Sequence, residues 1–492
     1  MNSEGQKSNR PQCIYFDVSC TNNNNINTGI QRVVRNILRL APSIANGFSI
    51  NVEAIEFSEN RFRRLAVEDV AKRTSRYMVP IPSEFRRQLT IFPYRCYGLV
   101  RQAIVFCLPF DGVKTFIWAP NSKPGLSRIL RKFLRPVGIF RGNPQKFDIK
   151  APTQIDQHPQ GAGNILVLID SSWVLPTTFW DCVNEFKADG GRVVTVVYDL
   201  IPVSNPEYYS IELSVAFRSW INAVFATTDA IVCISRYSAE CVRQMAEAKF
   251  QSGAIERKPP ISHFHLGSDL DLIRSSGTVS PNIKSIFSRL GHLFLVVGSI
   301  EPRKNHDYII SNFDKFWANN GQGTLIIIGR QGWGQKDFLK KIARHPKLGT
   351  ELYIIRDAGD ADLDYAYKSA SALIFASKIE GFGLPIVEAF QRGLEVLCSD
   401  IPVFREIAEG RATFFDLESP TSLATALKGF CATRSMDIKT DKAPQPWLTW
   451  EQSTRELFRE IFGTLDLDAN EHQDADSAIA SQDRPAVTTS VV

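Results

Sequence analysis

The stretch ALIFASKIEGFGLPIVEAF (372–390) decides the fold. A short apolar run ends near Ser377, a Gly-Phe-Gly turn fills 381–383, and Pro385 stands at a first helical position. The pattern is strand, tight turn, helix. Such a turn lets backbone N–H groups approach a phosphate, and the helix N-terminus adds partial positive charge. Glu380 and Glu388 flank the turn, Glu388 close to the mouth of the helix. Two acceptor-only groups beside an anion site suit a hydroxyl-rich ligand such as a sugar and a ribose. The competing use of Glu388 is to favour the helix dipole.

Working outward, HLFLVVGS (292–299), TLIIIGR (324–330), ELYIIRD (351–357), EVLCSD (395–400) and ATFFD (412–416) read as further strands, each followed by a turn and a helical pattern. An earlier run has the same rhythm: CIYFDVS (13–19), SINVEAIEF (49–57), NILVLID (164–170), RVVTVVYDL (192–200), AIVCIS (230–235) and SHFHLG (262–267). Continuous apolar strands alternating with helices imply parallel sheets covered on both faces. Two such runs imply two doubly wound α/β domains. Ligands of such sheets sit beyond the carboxyl ends of the strands, here in a cleft between the domains.

In VVGSIEPRKNHDYII (296–310), Arg303 and Lys304 follow a strand on a loop that opens a helix. Two cations there suit a diphosphate, Arg by its fork and Lys as a point charge.

These residues carry a resemblance. The chain resembles a retaining glycosyltransferase of the GT-B fold, in the large group 1 family of mannosyl- and glucosyl-transferring enzymes. The family's Glu-x7-Glu pattern is matched by Glu380 and Glu388, and its Arg-Lys pair by Arg303 and Lys304. The likeness runs through about 290–463, including GRQGWG (329–334), DIPVFRE (400–406) and TWEQSTRELFREIF (449–462). It is looser in TGIQRVVRNI (28–37), VYDLIP (197–202) and CISRYSAECV (233–242). The resemblance implies two Rossmann-like domains facing a cleft: an acceptor-side domain over 1–283 with a basic insertion at 58–163, and a nucleotide-sugar domain over 284–445. A helix at 446–463 would cross back, followed by a disordered acidic tail at 464–492.

The resemblance also implies roles. Glu380 would hold donor-sugar hydroxyls and Glu388 the ribose, while Arg303 and Lys304 stabilise the departing diphosphate. Main-chain groups of Gly381, Phe382, Gly383 and Leu384 would line the sugar–phosphate site. Gly29 would let a first-domain loop approach the diphosphate, and Asp199 would sit near the acceptor. The family often has His before that Asp; here it is Tyr198. The donor would be a nucleotide sugar, with GDP-mannose favoured, and the acceptor a lipid-linked or polysaccharide chain. Transfer is expected to need no metal and no other cofactor. Asp360-Ala-Asp362 has the D-x-D metal signature of a different fold, but its place before LDYAYKSA suits helix capping. His263 and His265 suit packing or hydrogen bonding. The rival readings are a GT-B epimerase or phosphorylase, or a catalytically silent carbohydrate-binding scaffold. The intact Glu and Arg-Lys set argues against both.

Composition fits this class. The chain has 492 residues, 44% hydrophobic and 22% charged, as in soluble globular proteins. The polar N-terminus lacks a secretory signal's apolar core, no long apolar span appears, and nine scattered cysteines suit reduced thiols, so a cytoplasmic protein is expected. Residues 61–150 carry 19 Lys and Arg against 5 Asp and Glu, a net +14 in a chain of net +5. Within it, LSRILRKFLR (126–135) has the apolar stripe of a basic amphipathic helix, suited to an anionic membrane surface at the inner face of the plasma membrane. No nucleic-acid motif accompanies the charge, so nucleic acid is not expected as a partner.

Overall fold

Two parallel sheets set the architecture. The computed structural model describes residues 11–23, 29–71, 154–155, 158–268, 278–332, 334, 336–434 and 447–467. All belong to one compact unit formed by the chain on either side of 74–151. The amphipathic segment 126–135 and most of the acidic tail lie outside the described residues.

The N-terminal sheet comprises β1 (Cys13–Asp17), β2 (Asn51–Ser58), β3 (Arg61–Leu65), β4 (Gln154–Ile155), β5 (Ile165–Leu168), β6 (Arg192–Val197), β7 (Ala230–Cys233) and β8 (Ile261–His263). Its order is β4-β3-β2-β1-β5-β6-β7-β8, parallel except at β3 and β4. The C-terminal sheet comprises β9 (Leu293–Val297), β10 (Thr324–Ile328), β11 (Leu352–Ile355), β12 (Ala372–Phe375), β13 (Glu395–Ser399) and β14 (Thr413–Phe415). Its order is β11-β10-β9-β12-β13-β14, the doubly wound arrangement whose direction reverses between β9 and β12. In the N-terminal sheet the reversal falls between β1 and β5.

Every residue of β5, β10 and β12 is buried, because helices cover both sheet faces. The stretch 58–163 is not wholly an insertion: its first part supplies β3 and its last part the edge strand β4. A two-residue turn at Glu59 and Asn60, φ 53° and 59°, folds the chain back antiparallel. Positive φ at both positions gives the twist a tight hairpin needs, and Glu-Asn is not the usual Asn-Gly signal for it.

The helix Trp450–Thr464 starts on a capping box. Thr449 Oγ1 accepts from the Gln452 N–H (3.2 Å), and Gln452 Oε1 accepts from the Thr449 N–H (2.8 Å). The helix packs on the N-terminal domain, with Phe458 against Phe16 (6.1 Å between centroids) and Phe462 against Phe48 (5.3 Å). Arg192 then donates to the Leu465 carbonyl (2.7 Å). Among the described residues, no helix is long and apolar enough to cross a membrane.

Candidate active site

The C-terminal switch point brings the separated motifs together. Arg303 and Lys304 lie in a single 3₁₀ turn, Pro302–Lys304, beyond β9, and Glu380 follows the neighbouring strand β12. The Lys378 N–H donates to the Arg303 carbonyl (2.8 Å), tying the loops together. Arg303 Nη1 donates to Glu380 Oε2 (2.6 Å), and Lys304 Nζ donates to Glu380 Oε1. The ammonium of Lys304 also lies 4.7 Å from the centre of the Phe375 ring. Burial alone would raise the Glu380 carboxyl, but the adjacent Arg303 and Lys304 charges hold it at about 2. The same burial lowers Lys304, against the pull of Glu380. Glu380 is therefore an anion throughout the working pH range and acts as an acceptor, not an acid.

The N-terminal domain closes over this cluster. Gly381 lies against the end of β6: a Cβ there would stand 2.3 Å from the Tyr198 carbonyl oxygen and 2.9 Å from Asp199 Cβ. Only glycine permits that approach. Its carbonyl accepts from Ser235 Oγ (2.7 Å) and Ser238 Oγ (3.1 Å), the former being the N-cap of the helix Arg236–Gln251. Asp199 is thereby brought beside the cation pair. Burial raises its carboxyl, while Arg303 and a hydrogen bond from the Ile201 N–H (2.9 Å) oppose the rise. Tyr209 joins from the same domain, its phenol raised by burial and by Asp199, and so remains protonated.

Glu388 departs from the sequence reading. Its carboxylate is not open at the helix mouth but 1% exposed. Arg32 of the N-terminal helix Gly29–Asn46 donates to Oε1, and the Tyr367 hydroxyl donates to Oε2 (2.7 Å). Gly29 opens the helix that carries Arg32, with nothing within 4 Å of where its Cβ would stand. Phe382 is buried, its ring near His265 (6.0 Å) and Trp447 (6.2 Å), so it can offer a ligand only its backbone. Gly383 has φ +138°, which glycine adopts freely, and Leu384 opens the helix Leu384–Gln391. Arg32, Tyr367, Tyr209, Ser235 and Ser238 went unassigned in the sequence. Arg32 stands three residues after Gly29 and thus in the same helical turn, the one local signal that points to it.

At the N-terminal switch point, Asp17 ends β1 and Asp170 follows β5. Asp17 Oδ1 accepts from the Ser19 N–H (3.1 Å), and Asp170 accepts from the N–H groups of Thr21 (2.5 Å) and Ser171 (2.7 Å). Burial, then the charge of Asp170, raises Asp17 to about 7. In the D-x-D, Asp362 accepts from the N–H groups of Gly359 (3.1 Å) and Ser280 (2.7 Å) and from Ser280 Oγ (2.7 Å to Oδ2). It anchors the start of the helix Asp360–Ser369. His265 Nε2 makes a hydrogen bond with Glu406 Oε1 (2.8 Å), a link between the domains.

Residues 288–442 match the family model of glycosyl transferases group 1. The serotype-specific mannosyltransferase WbdA of Escherichia coli is 32% identical over 281 residues, covering 57% of this chain and 34% of that protein. The O-antigen chain mannosyltransferase RfbU of Salmonella typhimurium is 30% identical over 135 residues, 27% of this chain and 37% of that protein. The chain thus spans about a third of the length of these curated relatives. Among solved structures, Anabaena Alr3699/HepE in complex with UDP and glucose aligns over 96% of this chain and all of that one, at 14% identity and a TM-score of 0.48. The architecture is GT-B, with two doubly wound sheets. The likeness to the glycosyl transferases group 1 family covers the C-terminal domain, residues 288–442.

Proposed function

We propose that the protein is a retaining glycosyltransferase that moves a hexose, mannose being favoured, from a nucleotide sugar to a lipid-linked or polysaccharide acceptor in surface-polysaccharide synthesis. The observation that carries this reading is the Arg303–Glu380–Lys304 cluster at the β9/β12 switch point. Two half-buried cations held by one carboxylate form a seat for a second anion, and a diphosphate fits it. Arg303 and Lys304 would turn toward the phosphates as negative charge grows on them, which stabilises the transition state more than the bound donor. Glu380 would accept hydrogen bonds from sugar hydroxyls. Glu388 would accept from the ribose once Arg32 is displaced.

The described site offers Asp199 and Tyr209 opposite the cations, and neither is an evident general base. A front-face step needs none. The bond from the anomeric carbon to the phosphate oxygen breaks, the bond to the acceptor oxygen forms on the same face, and the acceptor proton passes to the departing phosphate oxygen. Similarity to mannosyltransferases supports the sugar class, and a lipid-linked acceptor would place the protein at the inner face of the plasma membrane.

The test is a panel of nucleotide sugars with the purified chain and no acceptor, read as slow release of nucleoside diphosphate. GDP-mannose should be hydrolysed, and Arg303→Ala should abolish the release. Absence of hydrolysis and of any thermal shift with every nucleotide sugar would overturn the transferase reading and leave a phosphorylase or the carbohydrate-binding scaffold.

A further inference from the structure

A second cluster lies where β8 meets the helix Pro402–Ala408. His263 ends β8 and His265 follows it on extended chain, so their side chains share one face, with ring centroids 5.6 Å apart. Glu406, from the C-terminal domain, points at them. One ligand atom from each of the three residues can be chosen so that all lie within 4.8 Å of one another. His265 Nε2 and Glu406 Oε1 are already 2.8 Å apart.

We propose that His263, His265 and Glu406 bind a single zinc ion that joins the two domains, with water as fourth ligand. Two imidazoles and one carboxylate form a ligand set that suits zinc and does not suit magnesium or calcium, which take oxygen ligands. A four-coordinate zinc holds its ligand atoms roughly 3.3 Å apart, so a ring adjustment of at most about 1.5 Å closes the site. The carboxylate is already fixed. Its two oxygens accept from the N–H groups of Arg236 (2.7 Å) and Tyr237 (2.8 Å), the outer-shell support that orients a metal-binding carboxylate. The His265 backbone is equally held, its carbonyl accepting from Ser453 Oγ (2.6 Å). Among the surrounding charges, Glu406 and Glu460 attract a cation to His263 and Arg243 repels it.

The ion would lock an existing joint. Arg236 and Tyr237 begin the helix whose N-cap Ser235 holds the Gly381 carbonyl, so a metal on Glu406 would stiffen the support of the donor turn. Its role is structural, and the cluster is separate from Arg303, Lys304 and Glu380.

The experiment uses the full chain, stripped with EDTA, desalted and titrated with zinc chloride alone. Metal content after gel filtration should reach one zinc per chain, and the melting temperature should rise by several degrees. His263→Ala should fold normally by circular dichroism, lose at least tenfold in zinc affinity and lose the thermal response. Cobalt(II) in the wild-type chain should give the intense visible spectrum of a four-coordinate site, weakened in His265→Ala. No stoichiometric zinc in the wild type, or equal binding by wild type and His263→Ala, would overturn the proposal. Neither readout depends on sugar transfer, so failure here leaves the transferase reading untouched.

Discussion

Arg32, in the first turn of the helix Gly29–Asn46, donates to the buried carboxylate of Glu388, 356 positions later in the chain. One ion pair thus joins the two domains at the position proposed for the ribose. Breaking a buried pair by removing one partner costs about 3–5 kcal/mol, and the 18% exposure of Arg32 puts this pair at the lower end. Arg32→Met should therefore destabilise the fold by about 3 kcal/mol in urea unfolding. Arg32→Met with Glu388→Gln should recover part of that loss. Simple additivity of the two single changes would mean that the pair contributes nothing.

Glu380→Gln should keep the fold near neutral pH and reduce transfer. Losing a charge-assisted hydrogen bond costs about 1.5–3 kcal/mol, on the order of a 10- to 150-fold loss of turnover. Because the folded carboxyl sits at about 2, below its ordinary value of 4.5, the stability it supplies is fully present above pH 4.5. That stability is lost as pH falls through the interval down to about 2. The wild-type advantage over Glu380→Gln in unfolding should be flat from neutral pH down to that interval and shrink within it. An activity limb near neutral pH that vanishes in Glu380→Gln would contradict an anionic acceptor.

Arg303→Ala and Lys304→Ala should lower kcat more than they raise KM, because charge on the diphosphate develops during departure of the sugar. Single-turnover kinetics separate the two. Donor hydrolysis should survive EDTA, since the D-x-D carboxylate Asp362 is committed to Ser280 and Gly359. Strict dependence on added magnesium or manganese would return the D-x-D to consideration.

Asp17 has the opposite sign. Its folded value of about 7 exceeds its ordinary 3.8, so the folded state binds more protons across that window. Stability should fall as pH rises from about 4 to about 7. Asp17→Asn should flatten that part of the melting-temperature profile. An unchanged slope would place the titration elsewhere.

Gly381→Ala puts a methyl group 2.3 Å from the Tyr198 carbonyl oxygen, a backbone atom that cannot swing aside. The domains must part locally, at a cost of about 1–3 kcal/mol. Transfer should fall further than stability, because the donor turn moves relative to Asp199. Full activity in this variant would show that the close approach is not used.

The sequence by itself determined the parallel strands of the two sheets and the turn that follows Glu380. Apolar runs such as LIFA and LIII have the period of strands buried on both faces, and Gly-Phe-Gly with Pro385 can be little other than a turn opening a helix. These are local properties, written within a few residues of one another. The pairing of Arg303 and Lys304 with Glu380 was also within reach, because doubly wound order places the ends of β9 and β12 side by side. Only the tertiary structure decided what comes from the other domain. Arg32 on Glu388, Ser235 and Ser238 on Gly381, and His265 on Glu406 span 141 to 356 residues, and no periodicity encodes which helix start faces which loop. Charge state was decided there as well. Glu380 and Asp17 are both carboxyls at strand ends, yet paired cations hold one down at about 2 while burial beside Asp170 lifts the other to about 7.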